Sequence, residues 1–191
     1  MMKNLLLSTR LAVAIASLLL IISYFTPIWQ IWMWAPQYPE WLSLHIWLDN
    51  ITGDVDIING LNHYIGMKHI KVEMFPEFKI LPIIVGFILA FGLITAAVGK
   101  RWLLWTFVIV FALTGIVGMA DFYMWGYDYG HNLDPTAAIK VPGMAYQPPL
   151  IGTKELLNFI AYSAPDTGGW AFISTGILTV IALVFDIFKN K

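Results

Sequence analysis

The sequence predicts an all-α integral membrane protein: four transmembrane helices, with two long extracytoplasmic segments that fold into a small cap. Three observations carry that reading. The chain is 59% hydrophobic and 12% charged, with a mean hydropathy of +0.72, a composition suited to lipid rather than water as its main solvent. Four apolar runs approach the roughly 20 residues needed to cross a hydrocarbon core of about 30 Å. The two longest stretches between them are rich in Trp, Tyr, Pro and acids, the residues of membrane interfaces and turns. All 191 residues are therefore read as one membrane domain.

The first span covers residues 11–29 and follows Lys3 and Arg10. Its apolar run continues through Leu18-Leu19-Leu20-Ile21-Ile22 to Tyr24 and Phe25, which is longer than a cleaved signal peptide needs and predicts an uncleaved anchor. The first outer segment, residues 30–77, opens with Trp32-Met33-Trp34-Ala35-Pro36-Gln37-Tyr38-Pro39. Its aromatics suit headgroup level and its prolines stop a helix. Leu42, Leu44, Ile46 and Leu48 then alternate with Trp41, Ser43, His45 and Trp47, the period of a strand. Asp54 can cap a short helix in which Ile57, Ile58, Leu61 and Ile65 fall at helical spacing, and Gly66 suits the left-handed position that ends it.

The second span, residues 78–98, carries Pro82 near its first turn, where a missing N–H costs little. Gly99-Lys100-Arg101 leaves room only for a tight turn, so the third span, residues 102–120, returns antiparallel. The second outer segment, residues 121–169, holds Asp121, Asp128, His131 and Asp134 in its opening. Turns are expected at Val141-Pro142-Gly143-Met144 and at Gln147-Pro148-Pro149, and a short helix over 154–162 capped by Thr153. Residues 170–188 form the fourth span.

Charge sets the orientation. Lys3, Arg10, Lys100, Arg101, Lys189 and Lys191 fall in the short connections and termini, six of eleven basic residues, which predicts a bacterial inner-membrane protein with both termini cytoplasmic and the long segments periplasmic. The first outer segment, with Lys79 at its edge, then has three lysines against six acids, and the second has two against five. All four histidines lie outside, which locates the functional end. Both halves share the order helix, outer segment, helix, and a Met-Trp step, Met33-Trp34 and Met124-Trp125. Ile65-Gly66-Met67-Lys68 loosely matches Ile151-Gly152-Thr153-Lys154. A duplication would give parallel repeats, although interfacial Trp and turn Gly recur without one.

The stretch Asn62-His63-Tyr64-Ile65-Gly66-Met67-Lys68-His69-Ile70 is the densest in metal-ligand chemistry. Imidazole and thioether suit copper, so His63, Met67 and His69 are the first candidates, with His131 as a helper. The competing reading is structural: the histidines bond backbone carbonyls and the methionine fills a gap. Asp121, Asp128, His131 and Asp134 form a second, less specific set that matches no EF-hand spacing and reads equally as solvated loop acids. Trp34 and Trp125 are candidate docking contacts for an exported partner.

Other classes are disfavoured. The chain has no cysteine, which removes thiolate metal sites, iron-sulfur clusters and covalent c-type haem. No span contains a histidine for haem b, and ionisable residues occur only at span edges, at Lys79, Asp121 and Asp186, which argues against a transport pathway. No hydrolase motif is present, and the near-neutral charge of −1 suggests no nucleic-acid partner. The expected partners are the lipid bilayer and an exported redox protein.

The strings Ala35-Pro36-Gln37-Tyr38-Pro39-Glu40, Asn59-Gly60-Leu61-Asn62-His63-Tyr64-Ile65-Gly66-Met67 and Pro142-Gly143-Met144-Ala145-Tyr146-Gln147-Pro148-Pro149-Leu150-Ile151-Gly152 carry a family resemblance. In them the chain resembles, over nearly its whole length, small bacterial membrane proteins that accompany clade II nitrous oxide reductase and its copper-maturation factors. The resemblance implies a non-enzymatic part in copper delivery to, or membrane association of, a periplasmic copper enzyme. It transfers no site residue. The alternatives are a metal-free structural or docking subunit of a membrane redox complex and a quinol-linked membrane oxidoreductase.

Overall fold

A computed structural model describes residues 4–140, 143, 145–156 and 158–190. The expected turn at 141–144 lies outside these residues except for Gly143, as do Lys3 and Lys191. In chain order the elements are α1 (Leu7–Leu19, continued by a 3-10 turn over Leu20–Tyr24), β1 (Trp29–Trp34), β2 (Leu42–Ile46), β3 (Ile51–Gly53), α2 (Val55–Ile65), a 3-10 turn at Val72–Met74, α3 (Glu77–Val98), α4 (Arg101–His131), β4 (Gly152–Leu156), β5 (Phe159–Pro165) and α5 (Thr167–Lys189). Four helical stretches, Leu7–Tyr24, Glu77–Val98, Arg101–His131 and Thr167–Lys189, are long and apolar enough to cross a membrane.

The helical class holds, but the expectation of an all-α protein does not. The two outer segments build one five-stranded antiparallel sheet in the order β3-β2-β1-β5-β4. β1 is central, with Ile31 opposite Leu44 on one side and Ser163 on the other. The strand expected over 41–48 is present as β2. The helix expected over 154–162 is instead the β4–β5 hairpin, in which Leu156 faces Phe159. Lys154-Glu155-Leu156 are good helix formers, yet β5 completes the hydrogen-bonding of β1, and that tertiary pairing overrides local preference.

Within the helical layer α1 is central, packing on both α3 and α5, while α4 touches only the flanks of α3 and α5. The buried apolar cluster includes Val13, Leu20, Ile88, Leu104, Phe107 and Leu183. Close approach depends on small residues: a Cβ on Gly92 would stand 2.0 Å from Ser17 Oγ. The Thr175 hydroxyl donates to the Ala16 carbonyl at 2.8 Å, a hydrogen bond between α5 and α1. α4 is the long helix. Its 31 residues span about 46 Å at 1.5 Å per residue, so it overruns a 30 Å hydrocarbon core and its last turns belong to the cap. The expected boundary at residue 120 is therefore not a structural break.

At the end opposite the sheet, polar groups bind the helices together. Asp186 is fully buried and its carboxylate accepts from Leu6 N at 3.0 Å and from Arg101 Nε at 2.7 Å. The same guanidinium donates to the carbonyls of Asp186 and Asn190. Arg10 donates to the carbonyls of Ala96 and Ala97 at the end of α3, where Gly99 (φ 67°) turns the chain. Asn190 donates to the Asn4 carbonyl, which brings both ends of the described chain to this side.

The Met-Trp steps fall in unlike settings, Met33-Trp34 in β1 and Met124-Trp125 in α4. Gly66 ends a helix while Gly152 starts a strand. The two halves thus differ in the elements that follow their first helices. Removing one partner of a buried ion pair costs about 3–5 kcal/mol, whereas replacing both by apolar groups is often neutral. Asp186→Ala should accordingly lower the thermal stability of the purified protein by that amount, and the double change Asp186→Leu with Arg101→Met should recover most of it in the same melting assay.

Candidate functional site

The candidate ligands lie where α2 ends. α2 forms because Ile58, Leu61 and Ile65 line one side against the sheet, and it stops at Gly66, which takes the left-handed conformation (φ 81°). Asp54 begins this helix without capping it through its side chain. Its carboxylate instead accepts from the backbone and hydroxyl of Ser43 in β2, at 2.8 and 3.2 Å, tying the helix start to the sheet.

His63 and His69 are brought together. Their rings are 6.1 Å apart, centre to centre, and inclined at 60°, and both residues are exposed. Metal–nitrogen bonds of about 2 Å place the ring centres of two imidazoles on one ion roughly 6 Å apart, so the spacing fits a shared two-coordinate ion. Met67 does not join them. It is half-buried, packs on the apolar cluster of Ile31, Leu44, Ile58 and Tyr129, and lines the cavity beneath. Gly66 separates an outward histidine from an inward methionine, which is why the expected three-ligand set divides. His131 is exposed at the end of α4, stacks on Tyr127 with ring centres 3.8 Å apart, and donates from Nδ1 to the Tyr127 carbonyl at 2.9 Å. Among the described residues no group of three or more His, Asp or Glu side chains is placed to hold a metal ion.

The second set, Asp121, Asp128, His131 and Asp134, does not converge. Asp121, Asp128 and His131 are on α4 rather than in a loop. Asp128 pairs with Lys68 at 2.6 Å on the surface and bonds Asn132. Asp134 accepts from the hydroxyl and the amide of Thr136, at 2.6 and 2.7 Å. These two bonds hold its carboxyl below the usual range, the hydroxyl contributing most, and the nearby charges of His63 and Lys140 add to the effect. An acid thus lies beside the histidine pair, already engaged in its own turn.

Two residues to which the sequence reasoning gave no role, Asn59 and Tyr129, position the site. Asn59, buried on α2, donates to the Ile70 carbonyl at 3.0 Å and accepts from the Ile70 amide at 2.6 Å. The Tyr129 hydroxyl donates to the His69 carbonyl at 2.7 Å. The Asp134 amide donates to the Gly66 carbonyl at 2.8 Å, and Ile139 to Tyr64 at 2.9 Å, so the chain after α4 clasps the end of α2. The signal for Asn59 was a polar residue next to Ile58 on the apolar side of a short helix.

His45, the remaining histidine, sits on the opposite sheet face. Its Nδ1 lies 3.0 Å from Asp166 Oδ2, and Trp32 meets it edge-on at 5.8 Å. Asp166 Oδ1 accepts from the Thr167 amide and caps α5. Trp34 is half-buried at the end of β1. Trp125 turns inward among Phe75, Phe122 and Tyr129, so the exposed residues of that turn are Tyr123, Met124 and Tyr127 instead. No family model matches the chain, and no curated protein matches it.

Asn59→Ala would leave the Ile70 amide and carbonyl buried and unpaired, at about 1–3 kcal/mol each. A loss of at least 2 kcal/mol in stability is expected, together with faster hydrogen exchange at the Ile70 amide while the helical layer keeps its protection.

Proposed function

We propose that the protein is an accessory subunit of the bacterial inner membrane whose periplasmic cap carries copper to, or holds at the membrane, a periplasmic copper enzyme of the nitrous oxide reductase type. The observation that supports this most is the pairing of His63 with His69 on the exposed end of α2. Two imidazoles form a small, open ligand set suited to Cu(I). An open set suits cargo that must leave again: a partner's ligand can approach an ion held by two groups more easily than one enclosed by four. Arg10, Lys100, Arg101 and Lys189 gather at the end opposite the sheet, which under the positive-inside rule supports a cytoplasmic position for that end and a periplasmic one for the sheet.

A second reading, a metal-free docking subunit, is favoured by Tyr123, Met124 and Tyr127, which project from the cap turns of α4 with 48%, 61% and 49% of their surface exposed. Exposed aromatics and methionine are strong interface anchors. The two readings make different demands on the histidines.

Titration of the metal-free protein with Cu(I) against a chromophoric competitor separates them. One bound Cu(I) is expected, with affinity falling at least tenfold in His63→Ala and in His69→Ala. Met67→Leu should leave affinity within twofold and cost less than about 1.5 kcal/mol of stability, as a volume-conserving core change does. Absence of Cu(I) binding, or binding indifferent to both histidine changes, overturns the copper reading. Capture of a partner by metal-free protein, lost in Tyr127→Ala, would then establish docking.

A further inference from the structure

The cap holds a cavity of about 60 Å³ between the inner sheet face at Ile31, Leu44 and Ala161, Ile58 of α2 and Trp125 of α4. Two methionines reach it, Met33 from β1 and Met67 from the segment after Gly66. α4 fixes its height. Trp125 lies about 36 Å from Arg101 along that helix at 1.5 Å per residue, which is beyond a hydrocarbon core of about 30 Å. The cavity therefore belongs to the cap, just above the lipid.

No charged side chain borders this space, and four of its neighbours carry a hydrogen-bonding group: Asn62, Trp125, Tyr129 and Tyr146. The Tyr129 hydroxyl is bonded to the His69 carbonyl at 2.7 Å. Trp125 Nε1 and Tyr146 Oη are themselves buried, so those two rings present carbon to the cavity. The Asn62 carboxamide is the one polar side-chain group that remains. Buried water makes about three hydrogen bonds, and a single carboxamide does not supply them. Cavities walled in this way stay dry and take apolar guests.

We propose that this cavity binds a small, uncharged, membrane-soluble gas. Size sets the class: the space exceeds the roughly 10–15 Å³ that one water-sized probe requires and falls well short of the roughly 150 Å³ that admits benzene, so it suits a guest of two or three heavy atoms. The guest is uncharged, because nothing in the wall offsets the burial of an ion. The end of a lipid acyl chain is the competing apolar guest, but it would have to leave the hydrocarbon to reach the level of Trp125. A gas dissolves in lipid and crosses that boundary without an anchor. The site is independent of the copper reading, since its occupancy requires no metal at His63 and His69.

The test uses the full-length protein in lipid nanodiscs with its methionine methyl groups labelled with carbon-13, the Met33 and Met67 resonances being assigned from Met33→Leu and Met67→Leu. The probe is xenon, an apolar atom of suitable size, applied at rising pressure, with helium as the control for pressure itself. Met33 and Met67 should shift saturably with xenon and not with helium, while Met119 in the membrane part of α4 and the exposed Met124 respond only linearly. Ala161→Leu, which fills the cavity, should weaken the saturable response at least tenfold, and Asn62→Leu should preserve it. Three results overturn the proposal: a response at Met33 and Met67 no different from that at Met119, saturation that survives Ala161→Leu, or saturation that appears only in Asn62→Leu, which would mean that water held by the carboxamide fills the native cavity. Should Ala161→Leu fail to fold, the comparison of inner with outer methionines in the wild-type protein still decides.

Discussion

The pairing of β1 with β5 is the constraint on which the rest of the structure depends. β1 follows directly from α1, and β5 leads directly into α5, so one antiparallel ladder sets the outer ends of two membrane helices side by side. The junction is made at backbone level. Asp166 donates to the Ile28 carbonyl and Gly168 to the Pro27 carbonyl. A Cβ on Gly169 would stand 2.2 Å from the Ile28 carbonyl oxygen, so only glycine permits this approach. Asp166 then has two tasks, capping α5 with one oxygen and meeting His45 of β2 with the other. Helix register and sheet register are thereby tied to each other.

At the opposite end the tie is electrostatic. Asp186 has no exposed surface and would be costly there as an isolated charge. Its oxygens are instead divided between a backbone amide before α1 and the guanidinium that opens α4. The planar fork of Arg101 also reaches two carbonyls at the end of α5, which the single ammonium of a lysine would match less well. A hydrogen-bonded ladder at one end and a shared carboxylate at the other leave the apolar bundle little freedom to slide, although contacts between apolar side chains alone specify register weakly.

Much of this was legible from residues. The four membrane runs, the alternation of Leu42, Leu44 and Ile46, and the end of α2 at Gly66 each follow from a local pattern that the tertiary structure leaves intact. What was not legible depended on partners distant in sequence. Nothing local distinguishes Thr153-Lys154-Glu155-Leu156 from a helix start; it is a strand because it pairs with β5, which the distant β1 holds extended on its other edge. The aromatic run after Ala120 looked like a loop because its acids and glycines are loop residues, yet Phe122, Trp125 and Tyr129 recur at helical spacing and pack on the sheet. The site was half legible. Closeness of His63 and His69 followed from the turn at Gly66, whereas the inward course of Met67 depends on a sheet whose presence beneath α2 the local pattern does not disclose.

α4 has opposite characters along its length, and this bears on the candidate site. In the bundle it is peripheral, with Ile109, Leu113, Ile116 and Val117 exposed as lipid-facing residues are. In the cap it becomes a wall of the core, because the sheet and α2 close around it. From this one stretch Asp128 holds Lys68, Tyr129 holds the His69 carbonyl, and Trp125 lines the cavity. The outer turn of the histidine pair and the inner cavity therefore share one helix, through residues within two turns of each other. Because a packed helix moves as a body rather than side chain by side chain, a shift of α4 at Trp125 would reach the His69 carbonyl through the Tyr129 hydroxyl.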